Sequence, residues 1–352
     1  MRNITPHPTP GPSLKGRGVL LFLALLLFPI PTFAASLDGG LDKPYAAPDI
    51  ASKGPWLNSD PLTIHDLKGK VALVDFWTYS CINCLRTLPY LKAWQERYKD
   101  QGFIIIGVHS PEFDFEKNTT NVEKAINRFH ITYPVVQDND RFIWDRFGNE
   151  YWPAHYLIDR QGRVVYTHFG EGEYDRTEHN IRALLETNAP LAKLEEEPAR
   201  AAYHQSLETY LGSERGERAQ LIPTGAPDTY KFPEELSHDY WSLQGKWKRA
   251  DQYVEAQSSA AGLRLRFRGG KVFLVLGTAD GQPVHARIFY DGKLVGDKAG
   301  KDVKDGFVEI KEHRLYELFD RKSKSIFGSD EGIIEIETER PGLQAYAFTF
   351  GA

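Results

Sequence analysis

The chain has 352 residues, 41% hydrophobic and 26% charged, with a formal net charge of −5. That is an ordinary composition for a folded protein of about two domains. Its mild acidity and lack of a basic tract exclude nucleic acid and anionic lipid as partners. The only two cysteines, Cys81 and Cys84, are too close in sequence to form a stapling framework and too few for a cysteine-built zinc site.

Residues 1–35 read as a signal peptide. Lys15 and Arg17 precede an apolar run at 19–28, Pro29 and Pro31 interrupt it, and Ala34/Ala35 offer a processing site. Export to a periplasm or an equivalent compartment is the expectation, with a retained membrane anchor as the alternative. Residues 36–190 alternate strand-like and helix-like stretches, which predicts a parallel-rich α/β domain. Residues 71–77 form a nearly all-apolar strand, and 85–98 have helical spacing through Leu85, Leu88, Leu91, Trp94 and Tyr98. A second apolar strand spans 103–108 and a polar helix 116–130. A short strand at 133–136, a short helix at 141–147, a hairpin at 154–168 and a helix at 175–187 complete the domain. A charged, Pro/Gly-containing connector covers 191–227. Residues 228–352 carry about six short strands separated by turn signals such as Asp280-Gly281 and Asp291-Gly292, which predicts an all-β sandwich.

The chemistry lies in Asp75-Phe76-Trp77-Thr78-Tyr79-Ser80-Cys81-Ile82-Asn83-Cys84, where a strand runs into a tight loop and a helix starts near the first cysteine. A thiol at a helix N-terminus meets unpaired backbone N–H groups and the positive end of the helix dipole, which favour the thiolate that attacks disulfides. Cys81 is therefore expected as the nucleophile and Cys84, one turn on, as the resolving thiol. A metal reading would need further Cys or His ligands at suitable spacing, and the sequence supplies none.

These residues resemble the thioredoxin superfamily. Asp75 matches its buried acid, Pro89 the proline of its active-site helix, and Trp152-Pro153 its cis-proline facing the disulfide. The segments Trp77–Arg86, Gly107-Val108-His109-Ser110-Pro111-Glu112-Phe113, Tyr151-Trp152-Pro153-Ala154, Thr209-Tyr210-Leu211-Gly212 and the terminal Ala345-Tyr346-Ala347-Phe348-Thr349-Phe350-Gly351 are similar to DipZ-type proteins. In that family a thioredoxin-like domain precedes a jelly-roll, carbohydrate-binding-module-like β-sandwich. The CcdA-like membrane region that supplies electrons to such proteins has no counterpart in these residues. The resemblance implies dithiol–disulfide exchange with protein substrates. Asp75 would relay the proton of Cys84, while Trp77, Tyr79, Trp152 and Pro153 would shape the substrate site. No cofactor is implied beyond the Cys81–Cys84 disulfide itself, and the electron donor would be of CcdA type.

The absence of a cation at Ile82-Asn83 favours a reductase or a moderate potential. His109 and Glu112, after a strand end, are secondary candidates for direct function. Two alternatives stay open. Thr78 and Cys81 keep half of the peroxiredoxin pattern Pro-x-x-x-Thr-x-x-Cys, although Val74 stands where its proline belongs. A glycan- or partner-binding protein would instead use the aromatics Tyr240, Trp241, Trp247 and Tyr253, with an incidental CxxC.

Overall fold

The computed structural model describes residues 37–192, 194, 205–222, 228–322 and 330–351. The signal-peptide expectation lies outside these residues, as does part of the connector. Among the described residues no helix is long and apolar enough to cross a membrane.

The first layer system is built from strands β1 (Tyr45–Ala46), β2 (Trp56–Leu57), β3 (Val71–Trp77), β4 (Phe103–His109), β5 (Val135–Gln137), β6 (Ala154–Ile158) and β7 (Arg163–Phe169). Four α-helices join them: α1 (Ile82–Tyr98), α2 (Thr119–Phe129), α3 (Phe142–Phe147) and α4 (Tyr174–Leu185). Every residue of β3 is buried, because both sheet faces are covered. Val71, Leu73 and Trp77 meet Leu88, Leu91 and Trp94 of α1, while Ala72, Val74 and Phe76 meet Ile143, Trp144 and Phe147.

The strand order is β1-β7-β6-β3-β4-β5-β2. Only β3–β4 and β4–β5 are parallel pairs, so the sheet is mixed rather than parallel-rich. The turn at 159–162 is too short for a crossover, which forces β6 and β7 antiparallel. The expected helix at 116–130 also begins later. A 3-10 turn occupies Asp114–Lys117, and Asn118 then caps α2 by accepting the N–H of Thr120 at 2.9 Å.

The second part contains β8 (Thr209–Tyr210), β9 (Asp228–Tyr230), β10 (Trp241–Arg249), β11 (Val254–Ala256), β12 (Gly262–Gly269), β13 (Lys271–Thr278), β14 (Val284–Tyr290), β15 (Lys293–Leu294), β16 (Val303–Lys304), β17 (Phe307–Ile310), β18 (Arg314–Asp320), β19 (Asp330–Thr338) and β20 (Leu343–Gly351). They form two sheets, and β10 belongs to both. Trp241–Gln244 pair with β12, whereas the residues from Gly245 onward pair with β9 and β11. Gly245 makes the change of sheet at φ +81°, and an added Cβ would press on the Ala261 backbone. Inward side chains from both sheets, among them Trp241, Trp247, Phe267, Leu274, Ile336, Phe348 and Phe350, fill one core.

The sheet holding β13, β18 and β20 is buried on its outer face too, because that face packs against the first domain. Phe273, Val275, Leu315, Tyr346 and Ala347 form a cluster with Ile82 and Phe113. Tyr346 lies 4.8 Å from Phe115 and 5.2 Å from Phe113, ring to ring. Arg86 of α1 is 8% exposed and donates to the Phe350 carbonyl (2.8 Å), Asn83 Oδ1 (3.2 Å) and Glu171 Oε1 (3.3 Å). Arg128 and Glu312 pair across the same seam. Removing the guanidinium strands the buried Phe350 carbonyl and takes the ion-pair partner from the half-buried Glu171, so Arg86→Ala is expected to lower unfolding stability by about 3 kcal/mol in urea titrations. An unchanged midpoint would show that the seam does not depend on this anchor.

Candidate redox site at Cys81 and Cys84

The loop after β3 is tied down before it reaches the first cysteine. The N–H of Ser110 donates to the Trp77 carbonyl at 3.1 Å. The carboxylate of Glu116, fully buried, accepts from Ser80 Oγ (2.6 Å) and Ser80 N–H (3.3 Å) on one oxygen, and from the N–H groups of Glu112 (2.6 Å) and Phe113 (3.0 Å) on the other. Glu116 thereby fixes the residue before Cys81 to the loop that carries Phe113 into the second domain. Burial raises its pKa.

Cys81 is the N-cap of α1, and its Sγ accepts the backbone N–H of Cys84 at 3.4 Å. It therefore occupies the position where a helix start leaves N–H groups without intrahelical partners. Cys81 is partly exposed, Cys84 is 1% exposed, and both are free thiols. Burial pushes the Cys84 thiol well up, and its hydrogen bond with Cys81 and the nearby Asp75 add to the rise. Two thiols at i and i+3 thus differ sharply in access: one meets solvent and the other is held as a thiol beneath it.

Asp75, 1% exposed, lies on the β3 face covered by α1. Its register partner on β4 is Gly107, where a Cβ would crowd Trp77 Nε1 at 3.0 Å and Tyr133 at 3.2 Å. Glycine there lets both rings close over the acid. Neither carboxylate oxygen has a hydrogen-bond partner among the described residues, and the same holds for Trp77 Nε1 and the Tyr133 hydroxyl. Buried polar groups without hydrogen-bond partners, gathered beside the cysteine pair, mark a candidate functional site.

Cys81 opens into a cleft of about 390 Å³ whose walls come from both domains. Glu112, Tyr151, Trp152 and Phe169 contribute from the first, and Glu208, Tyr210 and Arg215 from within the stretch expected as connector, where β8 pairs with β20 of the second domain. The Tyr210 hydroxyl donates to Glu112 Oε1 at 2.6 Å, Arg215 donates to the same oxygen at 2.8 Å, and the guanidinium sits 3.6 Å over the Tyr210 ring. Trp152 is positioned by its Nε1 bond to the Ser110 carbonyl (3.1 Å) and by contact with Trp144 at 4.4 Å. The Trp152–Pro153 peptide is cis, and Pro153 is buried, so of the two it is Trp152 that lines the cleft.

Not every candidate reaches this cleft. Trp77 and Tyr79 are 1% and 2% exposed, so neither can wall it. Trp77 lies under α1 because β3 residues alternate faces, and Tyr79 turns inward to stack on His109 at 5.6 Å. His109 is fully buried, and burial pushes its pKa down to about 3. It is a neutral packing residue. Glu112, by contrast, does line the cleft. Of the expected sugar platform, Trp241 and Trp247 are fully buried, Tyr253 is half-buried and packs on Tyr346 at 5.0 Å, and Tyr240 is exposed. Glu116 and the wall from Tyr210 and Arg215 were not anticipated. The available signal for Glu116 was its place three residues after Phe113, from which a carboxylate can reach back to accept the N–H at the start of a helical turn.

Comparison with known proteins accords with this architecture. Residues 43–185 match the Redoxin family and residues 206–351 the thioredoxin-like C-terminal domain family. Protein DipZ of Mycobacterium tuberculosis is 37% identical over 246 residues, covering 66% of this chain and 35% of DipZ. The chain thus spans about a third of the length of that relative. Thiol-disulfide oxidoreductase YkuV of Bacillus subtilis is 28% identical over 141 residues, covering 40% of this chain and 95% of YkuV. Among solved structures, a thioredoxin-like protein in its oxidized form covers 41% of this chain and 97% of its own, at 28% identity and a TM-score of 0.38. The chain therefore carries a thioredoxin-like α/β domain followed by a β-sandwich, and it is homologous to DipZ and to proteins named thiol-disulfide oxidoreductase.

Proposed function

We propose that this DipZ homologue is an exported protein-disulfide reductase that works through Cys81 and Cys84. The observation that carries the reading is the asymmetry of the pair: an accessible sulfur caps α1, and a buried thiol lies one turn behind it. In the reaction, Cys81 thiolate attacks one sulfur of a substrate disulfide, and the other substrate sulfur leaves and takes up a proton. Cys84 loses its proton to Asp75 and attacks the Cys81 sulfur of the mixed disulfide. The second substrate thiol departs, leaving Cys81–Cys84 oxidised and the substrate reduced by two electrons. An external dithiol, such as a membrane donor of CcdA type, would restore the pair. Trp152, backed by Pro153, would orient the incoming disulfide from one side and Tyr210 from the other.

The direction is supported by charge. Ile82 and Asn83 add no cation between the sulfurs, and the nearby Arg86 is engaged by Glu171, Asn83 and the Phe350 carbonyl. Export rests on the character of residues 1–35. The test is the reduction potential, from glutathione or dithiothreitol equilibration with thiol trapping. A value near about −270 mV is expected for a reductase, and one near about −120 mV would make the protein a disulfide donor instead.

A further inference from the structure

The geometry points to His155 as the residue that exchanges the proton of Asp75, with His168 continuing the route to the surface. Asp75 on β3, His155 on β6 and His168 on β7 are successive register partners, so the three side chains form a row across adjacent strands on one sheet face. His155 Nε2 is 3.3 Å from Asp75 Oδ1, and each side chain is 1% exposed. Neither nitrogen of His155 has a hydrogen-bond partner among the described residues, as neither oxygen of Asp75 does. The His155 and His168 rings lie 6.1 Å apart, and His168 is only partly buried.

The need for such a route follows from burial. Each turn of thiol–disulfide exchange removes a proton from Cys84 and later returns one. Asp75 can accept it but, at 1% exposure, has no direct way to pass it to water. A proton taken up by an acid so deeply buried needs a neighbouring group to carry it onward, and that group must lie within reach of the carboxylate. Other groups bearing on the row are Cys84 from α1 and Tyr133 ahead of β5, whose hydroxyl burial holds well above its ordinary range. Glu171, Glu173 and Arg176 bear on the His168 end. Of these, His155 supplies an imidazole nitrogen 3.3 Å from Asp75, on a ring that can both accept and donate a proton. Burial and the neighbouring His155 lower the His168 pKa, which suits a group that passes a proton on without keeping it. His155 acts on sulfur only through Asp75, so it is a positioning residue for proton transfer.

The inference rests on the exchange reading above, and the experiment separates the two. Wild type, His155→Phe, His155→Gln and His168→Gln are reduced and mixed with a peptide disulfide. The two half-reactions, formation of the Cys81 mixed disulfide and its resolution by Cys84, are then timed from pH 5 to 9. Both His155 variants are expected to form the mixed disulfide within about twofold of wild type and to resolve it about a hundredfold more slowly, with one titration lost from the resolution profile. His168→Gln should show a smaller loss of the same kind. Glutamine keeps a polar side chain of similar reach, so it stands in should the phenylalanine variant fail to fold. Resolution slowed by the same factor at every pH, or not slowed, overturns the proton route while leaving exchange intact. A wild-type pair that never cycles overturns both.

Discussion

Replacing Cys81 by serine is expected to lower disulfide-exchange turnover by at least about a thousandfold, while Cys84→Ser halts the cycle one step later with substrate covalently held on Cys81. The two effects differ because the sulfurs do. Cys81 borders the cleft and caps α1, so it meets substrate first. Cys84 is 1% exposed and can react only with a sulfur delivered to it, which is the Cys81 end of a mixed disulfide. Serine is itself a favoured N-cap residue, so Cys81→Ser should keep its melting temperature and lose only chemistry. Non-reducing electrophoresis and intact mass after mixing with a peptide disulfide would read both results. An adduct accumulating on Cys81→Ser but not on Cys84→Ser would reverse the assigned roles.

Much of the first domain was legible because its elements are locally consistent. The apolar run of β3, the helical spacing of α1 and the cysteines between them agree on one geometry. What escaped detection was long-range. His155 gave only a weak sign, a polar residue inside the otherwise apolar Ala154-His155-Tyr156-Leu157-Ile158. Its meaning depends on register with Asp75, some eighty positions earlier in the chain. Trp77 and Tyr79 were misplaced because a residue near a catalytic cysteine in sequence can still turn to the core. In the sandwich, β10 is hard to read from sequence because it changes sheets at Gly245 and so breaks its own alternation. The apolar character of β20 on both faces was the visible trace of the domain seam. Sequence shows that such a face must be covered, but the cover, Ile82 and Phe113, comes from more than two hundred residues away. The redox loop is thus packed directly on the second domain, through a residue lying between the two cysteines.

The other large effect concerns acid stability and centres on His109. Its side chain is fully buried at the end of β4, edge-on to Trp77 at 5.1 Å and stacked on Tyr79, with Nε2 3.5 Å from Thr78 Oγ1. Burial holds its pKa down to about 3, against 6.5 for the free side chain. Between those values the unfolded chain binds a proton that the folded chain refuses. Stability is therefore complete above pH 6.5 and falls as pH drops, by about 1.4 kcal/mol per unit from this residue. By pH 4.5 the loss from His109 alone would be on the order of 2–3 kcal/mol, a large share of a typical domain's margin. The partly buried His168 and His313 also have lowered pKa values and act with the same sign, so a wild-type curve alone cannot isolate the effect. The difference between wild type and His109→Gln can. Urea titrations at half-unit steps from pH 7 to 4.5 should give a wild-type slope steeper than the variant's by about 1.4 kcal/mol per unit. Parallel curves would mean that the imidazole takes up its proton within the fold, and His109 would then return as a candidate acid beside the redox loop.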